Sequence, residues 1–264
     1  MHIVVCIKQV PDTTEVKINP QTNTLVREGV SSVINPFDMY AIEEALRIKE
    51  KVGGDSKVTA LSMGPGQVET ALRDAVSMGV DDIVLLSDRA FAGADTLATS
   101  YTLACGIKKL GQVDLVLCGK QAIDGDTAQV GPGIAVHLNL PQIAWVKKIV
   151  EISSSSAKVQ RMMDEGYDVL EVSLPAVFTV VKEINEPRMP SLKGKMRAKK
   201  VEMKVLKASD IEADEKKLGL NGSATQVVKI FNPAPRSGGK TFTGEPEVIV
   251  DELLEHLKKD NIII

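Results

Sequence analysis

Apolar and polar residues alternate between two periods along roughly the first half of the chain. "HIVVCIKQV" (2–10) is a short continuous apolar run, the pattern of a strand covered on both faces. "NPFDMYAIEEALRIKEKVG" (35–53) changes to helical spacing, with Ala41, Ala45, Leu46 and Ile48 on one side and Lys49 and Lys51 towards its end. The pair then repeats. "SKVTALSMG" (56–64) is a strand into a glycine turn, and "GQVETALRDAVSMG" (66–79) is a helix ending at Gly79. "DDIVLLSD" (81–88) is a strand, followed by "DTLATSYTLACGIKKLG" (95–111), a helix that starts after Asp95 and stops at Gly111. "VDLVLCG" (113–119) is a strand, and "DTAQVGPGIAVHLN" (126–139) opens another helix. Strands joined by helical crossovers predict an α/β protein with a Rossmann-like, doubly wound, mostly parallel sheet.

After Pro141 the pattern changes. "KKIVEISSSSAKVQRMMDEGYDVLEVSLPAVFTVV" (147–181) alternates apolar and polar residues, with turn signals at Ser153–Ser156 and Glu165-Gly166. It predicts an antiparallel extension built from hairpins. "EINEPRMPSLKGKMRAKK" (183–200) reads as an exposed loop running into a basic segment. "ASDIEADEKKLGL" (208–220) reads as a short polar helix, "NPAPRSGGKTFTGEP" (232–246) as a linker, and "EVIVDELLEHLKKDNIII" (247–264) as a terminal helix. The expected division is an α/β domain over 1–208 and a C-terminal arm over 209–264 that wraps the domain or a partner.

Bulk properties narrow the function. A formal net charge of -3 and an aromatic share of 3% argue against nucleic-acid binding, which favours a basic face and stacking rings. No apolar run approaches the roughly 18 residues that span a bilayer, and the N-terminal run is too short for a secretory signal, so a cytoplasmic protein is expected. Cys6, Cys105 and Cys118 stand apart in apolar contexts and read as reduced core thiols. His2, His137 and His256 have no acidic or thiol neighbours at ligand spacing, so no metal site is predicted.

Chemistry concentrates where strands give way to helices. In "CGKQAIDGDTAQVGPG" (118–133) glycines let the backbone pass close to a ligand, and the first turn of the next helix offers N–H groups to an anion. Asp126 or Thr127 can cap that helix, and Gln129 can reach a phosphate or a ribose hydroxyl. Ionised Asp124 and Asp126 would repel phosphate, which suits them to a ribose or a cap. A tight turn without a ligand fits these residues equally well. "SDRAFAGADTLATSYTLA" (87–104) is a second candidate, with Asp95 as N-cap and Thr96, Thr99 and Ser100 in the first turns, and simple capping explains it as readily. "SMGPGQ" (62–67) is a third.

Familiar fingerprints fail. Gly64 and Gly66 begin a GxGxxG that breaks at Glu69, and Gly131 and Gly133 begin one that breaks at Val136. "SGGKT" (237–241) would need its first P-loop glycine at Ala234 and has no strand before it. Asp81-Asp82 read as solvated turn residues. The lysines of 193–204 form either a solvated face or a docking rim for an acidic partner, and Leu192 is either an anchor on that rim or an inward core residue.

Over essentially its whole length the chain resembles the beta subunit of electron-transferring flavoproteins. The resemblance rests on "VCIKQVPD", "INPFDMYAIEEALRIKE", "SMGPGQVETALRDAVSMG", "CGKQAIDGDTAQVG" and "NEPRMPSLKGKMRAKK", in that order. It implies a heterodimer with an alpha subunit, and a nucleotide in the Rossmann-like domain. In the respiratory branch of the family the nucleotide is AMP; in the electron-bifurcating branch it is a second FAD, reduced by NADH. "DGDTAQVG", with Gly125, Ala128 and Val130 where the respiratory type usually has an extra acidic residue and an Asn-Gln-Thr stretch, resembles the bifurcating branch. So does "DRAFAGADTLATS".

Carried over by position, Cys6, Asn35, Phe37, Asp38, Ser62, Met63 and Gly64 would line the adenosine. Gly119, Lys120, Gln121, Ala122, Ile123, Asp124, Gly125, Asp126, Thr127, Ala128, Gln129 and Val130 would wrap ribose and phosphates, and Asp95, Thr96 and Thr99 would meet the phosphates. Leu192 matches the family's recognition leucine for a partner dehydrogenase, of acyl-CoA or lactate type, with Lys193 and Lys195 on its basic rim. Ferredoxin or flavodoxin would take the other electron, and the tail from about Ser209 would reach the alpha subunit. The resemblance implies no catalytic acid or base, since the flavin does the chemistry. Two alternatives remain: an electron-carrier subunit holding AMP, and a nucleotide-sensing module.

Overall fold

The computed structural model describes residues 1–12, 18–19, 24–25, 32–228 and 238–263. It divides into two units, Met1–Val228 and Lys229–Ile264.

In the larger unit β1 (His2–Cys6) is followed by a two-stranded antiparallel ribbon of β2 (Gln9–Pro11) and β5 (Ser32–Ile34). Between the ribbon strands lies a shorter pair, β3 (Ile18–Asn19) and β4 (Thr24–Leu25). Then come α1 (Pro36–Val52), β6 (Lys57–Met63), α2 (Glu69–Met78), β7 (Asp82–Leu86), α3 (Thr96–Lys109), β8 (Leu115–Gly119) and α4 (Val130–Leu138). The remainder supplies β9 (Gln142–Ile152), β10 (Ser156–Met163), β11 (Gly166–Ser173), β12 (Ala176–Val180), α5 (Leu192–Ala198) and β13 (Met203–Leu206).

One nine-stranded sheet runs in the order β11-β10-β9-β12-β8-β1-β6-β7-β13. From β9 through to β13 every neighbouring pair is parallel; β10 and β11 add the antiparallel edge. The strand pleat sorts its side chains into two cores. Ile3 and Val5 of β1 join Leu115 and Leu117 of β8 beneath α1 and α2. Val4 and Cys6 join Val116 and Cys118 beneath α3 and α4. Cys6, Cys105 and Cys118 are all free and buried.

The antiparallel expectation for 147–181 holds for β10 and β11 but not for the segment's end. β12 inserts between β8 and β9 and is parallel to both. Its run "AVFTV" is buried at every position, the mark of a strand covered on both faces. Three other expectations also change. Residues 208–220 form turns and a single 3-10 turn at Glu215–Lys217, with Ile211 and Leu218 buried in the second core. Leu192 begins a helix rather than sitting on a loop, because the Ser191 hydroxyl accepts from the Gly194 N–H at 2.9 Å and caps it. Asp81 is no solvated turn residue: it accepts from the Val58 N–H at 2.8 Å and pairs with Lys49 at 2.6 Å.

In the smaller unit α6 (Pro246–Lys259) starts with proline in its first turn, and Val248, Val250, Leu253 and Leu254 remain exposed. Residues 229–237, which include the first part of the expected linker and Ser237 of the near-P-loop, lie outside the described residues. No described helix is long and apolar enough to cross a membrane.

Phe178 is fully buried in the first core, on the strand that ties the parallel sheet to its antiparallel edge. Phe178→Ala is expected to cost about 3–5 kcal/mol, read as a lowered urea midpoint with an unchanged slope.

Candidate functional site

From β1 the chain steps to β6 and β7 on one side, then crosses to β8 on the other, so the switch point lies between β1 and β8. In a doubly wound sheet the ligand crevice opens there, beyond the carboxyl ends of the strands. Cys6 and Cys118 are register partners at those ends. The segments just beyond them, Ile7–Lys8 and Gly119–Gln129, form the edge of the crevice.

Asp38, in the first turn of α1, ties the two strand tips together. One carboxylate oxygen accepts from the Lys8 N–H at 2.8 Å, the other from the Gly119 N–H at 3.1 Å. This requires a glycine: a Cβ at Gly119 would lie 2.5 Å from the Asp38 carboxylate and 2.6 Å from the Phe37 carbonyl carbon. Burial pushes the Asp38 carboxyl up to about 7, against the hydrogen bonds from Lys8, Asn35 and Gly119 that pull it down. Asn35 holds the next stretch, donating to the Gln121 carbonyl at 2.9 Å and accepting from the Ile123 N–H at 3.1 Å. Ser62 is buried and donates to the Ile7 carbonyl at 2.8 Å. Met63 is half-buried, and the Gly64 N–H donates to the Leu86 carbonyl at 3.0 Å. These residues thus support the crevice floor.

The loop after Ile123 is open. Asp126 (φ 50°) and Ala128 (φ 52°) adopt left-handed backbone, and nothing approaches within 4 Å of where a Cβ at Gly125 would stand. Helix α4 begins only at Val130, so neither Asp126 nor Thr127 caps it, and no side chain does. Among the described residues, the N–H groups of Thr127, Ala128, Gln129, Val130 and Gly131 find no acceptor. The two aspartates are occupied instead. Asp124 pairs with Lys8 at 2.6 Å, and Asp126 accepts from Gln121 at 2.6 Å. Lys8 thus offsets the Asp124 charge, while Gln121, a neutral amide, orients the Asp126 carboxylate without cancelling its charge.

The second candidate, at α3, is built the opposite way. Asp95 accepts from the Leu97 and Ala98 N–H groups at 2.9 and 3.0 Å, and its other oxygen accepts from the Thr225 N–H and hydroxyl at 2.9 and 3.0 Å. Burial raises the Asp95 carboxyl pKa, but these hydrogen bonds outweigh it and hold it below the ordinary value. The cap takes two of the first N–H groups of α3, and the Thr99 N–H donates to the Asp95 carbonyl at 2.9 Å. Thr96 reaches across instead, donating to Gln129 at 2.7 Å, and so joins α3 to the open loop; Thr99 is half-buried beside it. Gly131 and Gly133 let α4 pack closely: Cβ atoms there would stand 2.5 Å from Thr179 and Ser100.

Two contributors had not been singled out from the sequence. Lys8 could have been, since it follows the first strand at the ligand edge. Trp145 could not. It has φ 60° at a bulge where β9 slips against β12, and its ring and that of Phe37 flank the Lys120 ammonium at 5.3 and 5.0 Å. Leu192, Lys193 and Lys195 lie on α5, which packs on α2 and takes no part in this crevice.

Fold and site define a doubly wound α/β protein with a glycine-lined, anion-compatible crevice at its switch point. The electron transfer flavoprotein domain matches residues 22–211, and the chain belongs to the electron transfer flavoprotein family. It is 53% identical over 264 residues, all of both chains, to the electron transfer flavoprotein subunit beta of Thermoanaerobacterium thermosaccharolyticum. It is 49% identical, again over the whole of both chains, to the beta subunit of Megasphaera elsdenii and to the caffeyl-CoA reductase-Etf complex subunit CarD of Acetobacterium woodii. The chain is thus of the beta-subunit type, which works in electron transfer with an alpha subunit.

The raised pKa of Asp38 has a testable sign. In the unfolded chain the group ionises near 3.8, in the fold at about 7. Its contribution to stability is therefore fully present below the unfolded value and lost as pH rises through about 7. Asp38→Asn removes that titration. The stability gap between the unaltered protein and the variant is expected to be widest near pH 4 and to narrow by pH 8, as measured by urea unfolding across that range.

Proposed function

We propose that this chain holds FAD in the crevice at the β1–β8 switch point and works as the bifurcating beta subunit of an electron transfer flavoprotein heterodimer. The observation that carries the reading is the run of N–H groups from Thr127 to Gly131, without acceptors among the described residues, beside left-handed backbone at Asp126 and Ala128 and carboxylates that already have partners. Such a run suits a diphosphate. Bound there, FAD would supply hydride acceptance from NADH and one-electron release along two routes, to ferredoxin or flavodoxin and through the alpha subunit's FAD to a partner dehydrogenase.

The chain's own part is binding and placement. The N–H groups of 127–131 would hold the phosphates, with Lys8 keeping the Asp124 charge off them. The Asn35 and Asp38 bonds keep the crevice floor at fixed depth, so ligand entry need not reorganise it. The open space at Gly125 and the small side chain of Ala128 leave room for a group larger than a mononucleotide. Leu192, 79% exposed and flanked by Lys193 and Lys195, is the docking residue for a dehydrogenase of acyl-CoA or lactate type. The smaller unit would serve as the arm towards the alpha subunit, and the complex would work in the cytoplasm.

The test is the nucleotide content of the intact alpha–beta heterodimer, released by denaturation and separated chromatographically. Two FAD and no AMP per heterodimer are expected. One FAD and one AMP would overturn the bifurcating reading and leave an electron carrier that holds AMP in the same crevice.

A further inference from the structure

Two arginines fix the surface that carries Leu192, one on each side of it. Upstream, Asn185 donates to the Tyr40 carbonyl and to Glu44, both at 3.0 Å. Arg188 then grips α1: its main-chain N–H and Nε donate to one Glu43 oxygen at 3.1 and 2.7 Å, and its Nη atoms reach Glu50 at 2.5 and 3.1 Å. Glu43 is a nearly buried carboxylate. Burial raises its pKa, but hydrogen bonds from Arg188 and Arg47 bring it below the ordinary value. Downstream, Gly194 packs so closely on α2 that a Cβ would stand 2.1 Å from the Ser77 carbonyl oxygen. Arg197 donates to the Val76 and Val80 carbonyls, closing the C-terminal end of α2.

Between these two clamps Met189, Leu192 and Met196 are 86%, 79% and 59% exposed. Leu192 and Met196 stand one helical turn apart, on one face of α5. A clamp that served stability alone would have no reason to hold three large apolar side chains in water. A clamped apolar surface loses little freedom when it is covered, so binding keeps more of its contact energy.

We infer that Arg188 is a positioning residue for partner docking, with Arg197 acting in the same way from the other end. The inference rests on the reading that the Leu192 surface docks a dehydrogenase. Neither arginine need touch the partner; each acts by holding the main chain on either side of Leu192.

The experiment uses the whole heterodimer, with a purified acyl-CoA dehydrogenase as the binding probe. Compared are the unaltered protein, R188Q, R188K, L192A and R188Q/L192A, with nucleotide content and melting temperature measured on each. R188Q is expected to weaken binding about tenfold while nucleotide content holds. R188K, which keeps the charge but not the forked geometry, should recover part of the loss. R188Q/L192A should bind no more weakly than L192A alone, because a positioning residue has no effect once the group it positions is gone. Where R188Q fails to fold, R197Q replaces it with the same expected pattern. Unchanged binding by R188Q, or a full second loss added to that of L192A, would overturn this inference alone. An unaltered heterodimer that binds neither this probe nor a purified lactate-type dehydrogenase would overturn the docking reading and this inference together.

Discussion

The crevice depends on one buried carboxylate. Asp38 reaches from the first turn of α1 to the N–H groups that follow β1 and end β8, so one side chain joins the two strands across which the sheet changes direction. The contact is possible only because residue 119 has no Cβ. Burying an acid this deeply is costly unless donors face it, and here main-chain donors come from both strands. With Asn35 tying down Gln121 and Ile123, the floor is closed by hydrogen bonds before any ligand arrives.

Above that floor the two helix termini beside the crevice are built differently. At α3 the Asp95 side chain accepts from the Leu97 and Ala98 N–H groups and also holds Thr225. At α4 there is no side-chain cap, and the preceding backbone N–H groups find no acceptor among the described residues. The pair is therefore unequal: the α3 terminus is capped by a side chain and the α4 terminus is not. Thr96 and Gln129 connect the two, so the capped helix braces the open one.

The exposed Leu192 surface lies on another part of the larger unit, yet it follows the same principle. Arg188 and Glu43 hold Leu192 outward as Asp38 and Gly119 hold the crevice open, in each case by fixing main chain with a charged side chain. Both features use α1: its first turn serves the crevice, and its Glu43 and Glu50 hold the segment that carries Leu192.

Much of this was legible in the chain itself. Alternating periods placed β1, β6, β7 and β8 with the helices between them, because an apolar run covered on both faces and an amphipathic helix leave distinct spacings. The glycine and aspartate turns marked the ligand edge for the same local reason. What the sequence could not decide were contacts between residues far apart in the chain. Asp126 and Thr127 looked like caps, but the loop's left-handed turns delay α4 until Val130. Asp95 fitted both a cap and a phosphate site, and only Thr225, 130 residues away, shows that its carboxylate is fully used. From its neighbours alone Leu192 read equally as anchor or core; the family resemblance favoured the anchor, and in the fold the side chain is exposed on α5. Local spacing determines which elements form, since each is a property of neighbouring residues. Which polar groups remain free to bind depends on long-range pairing, and that was settled only by the folded chain.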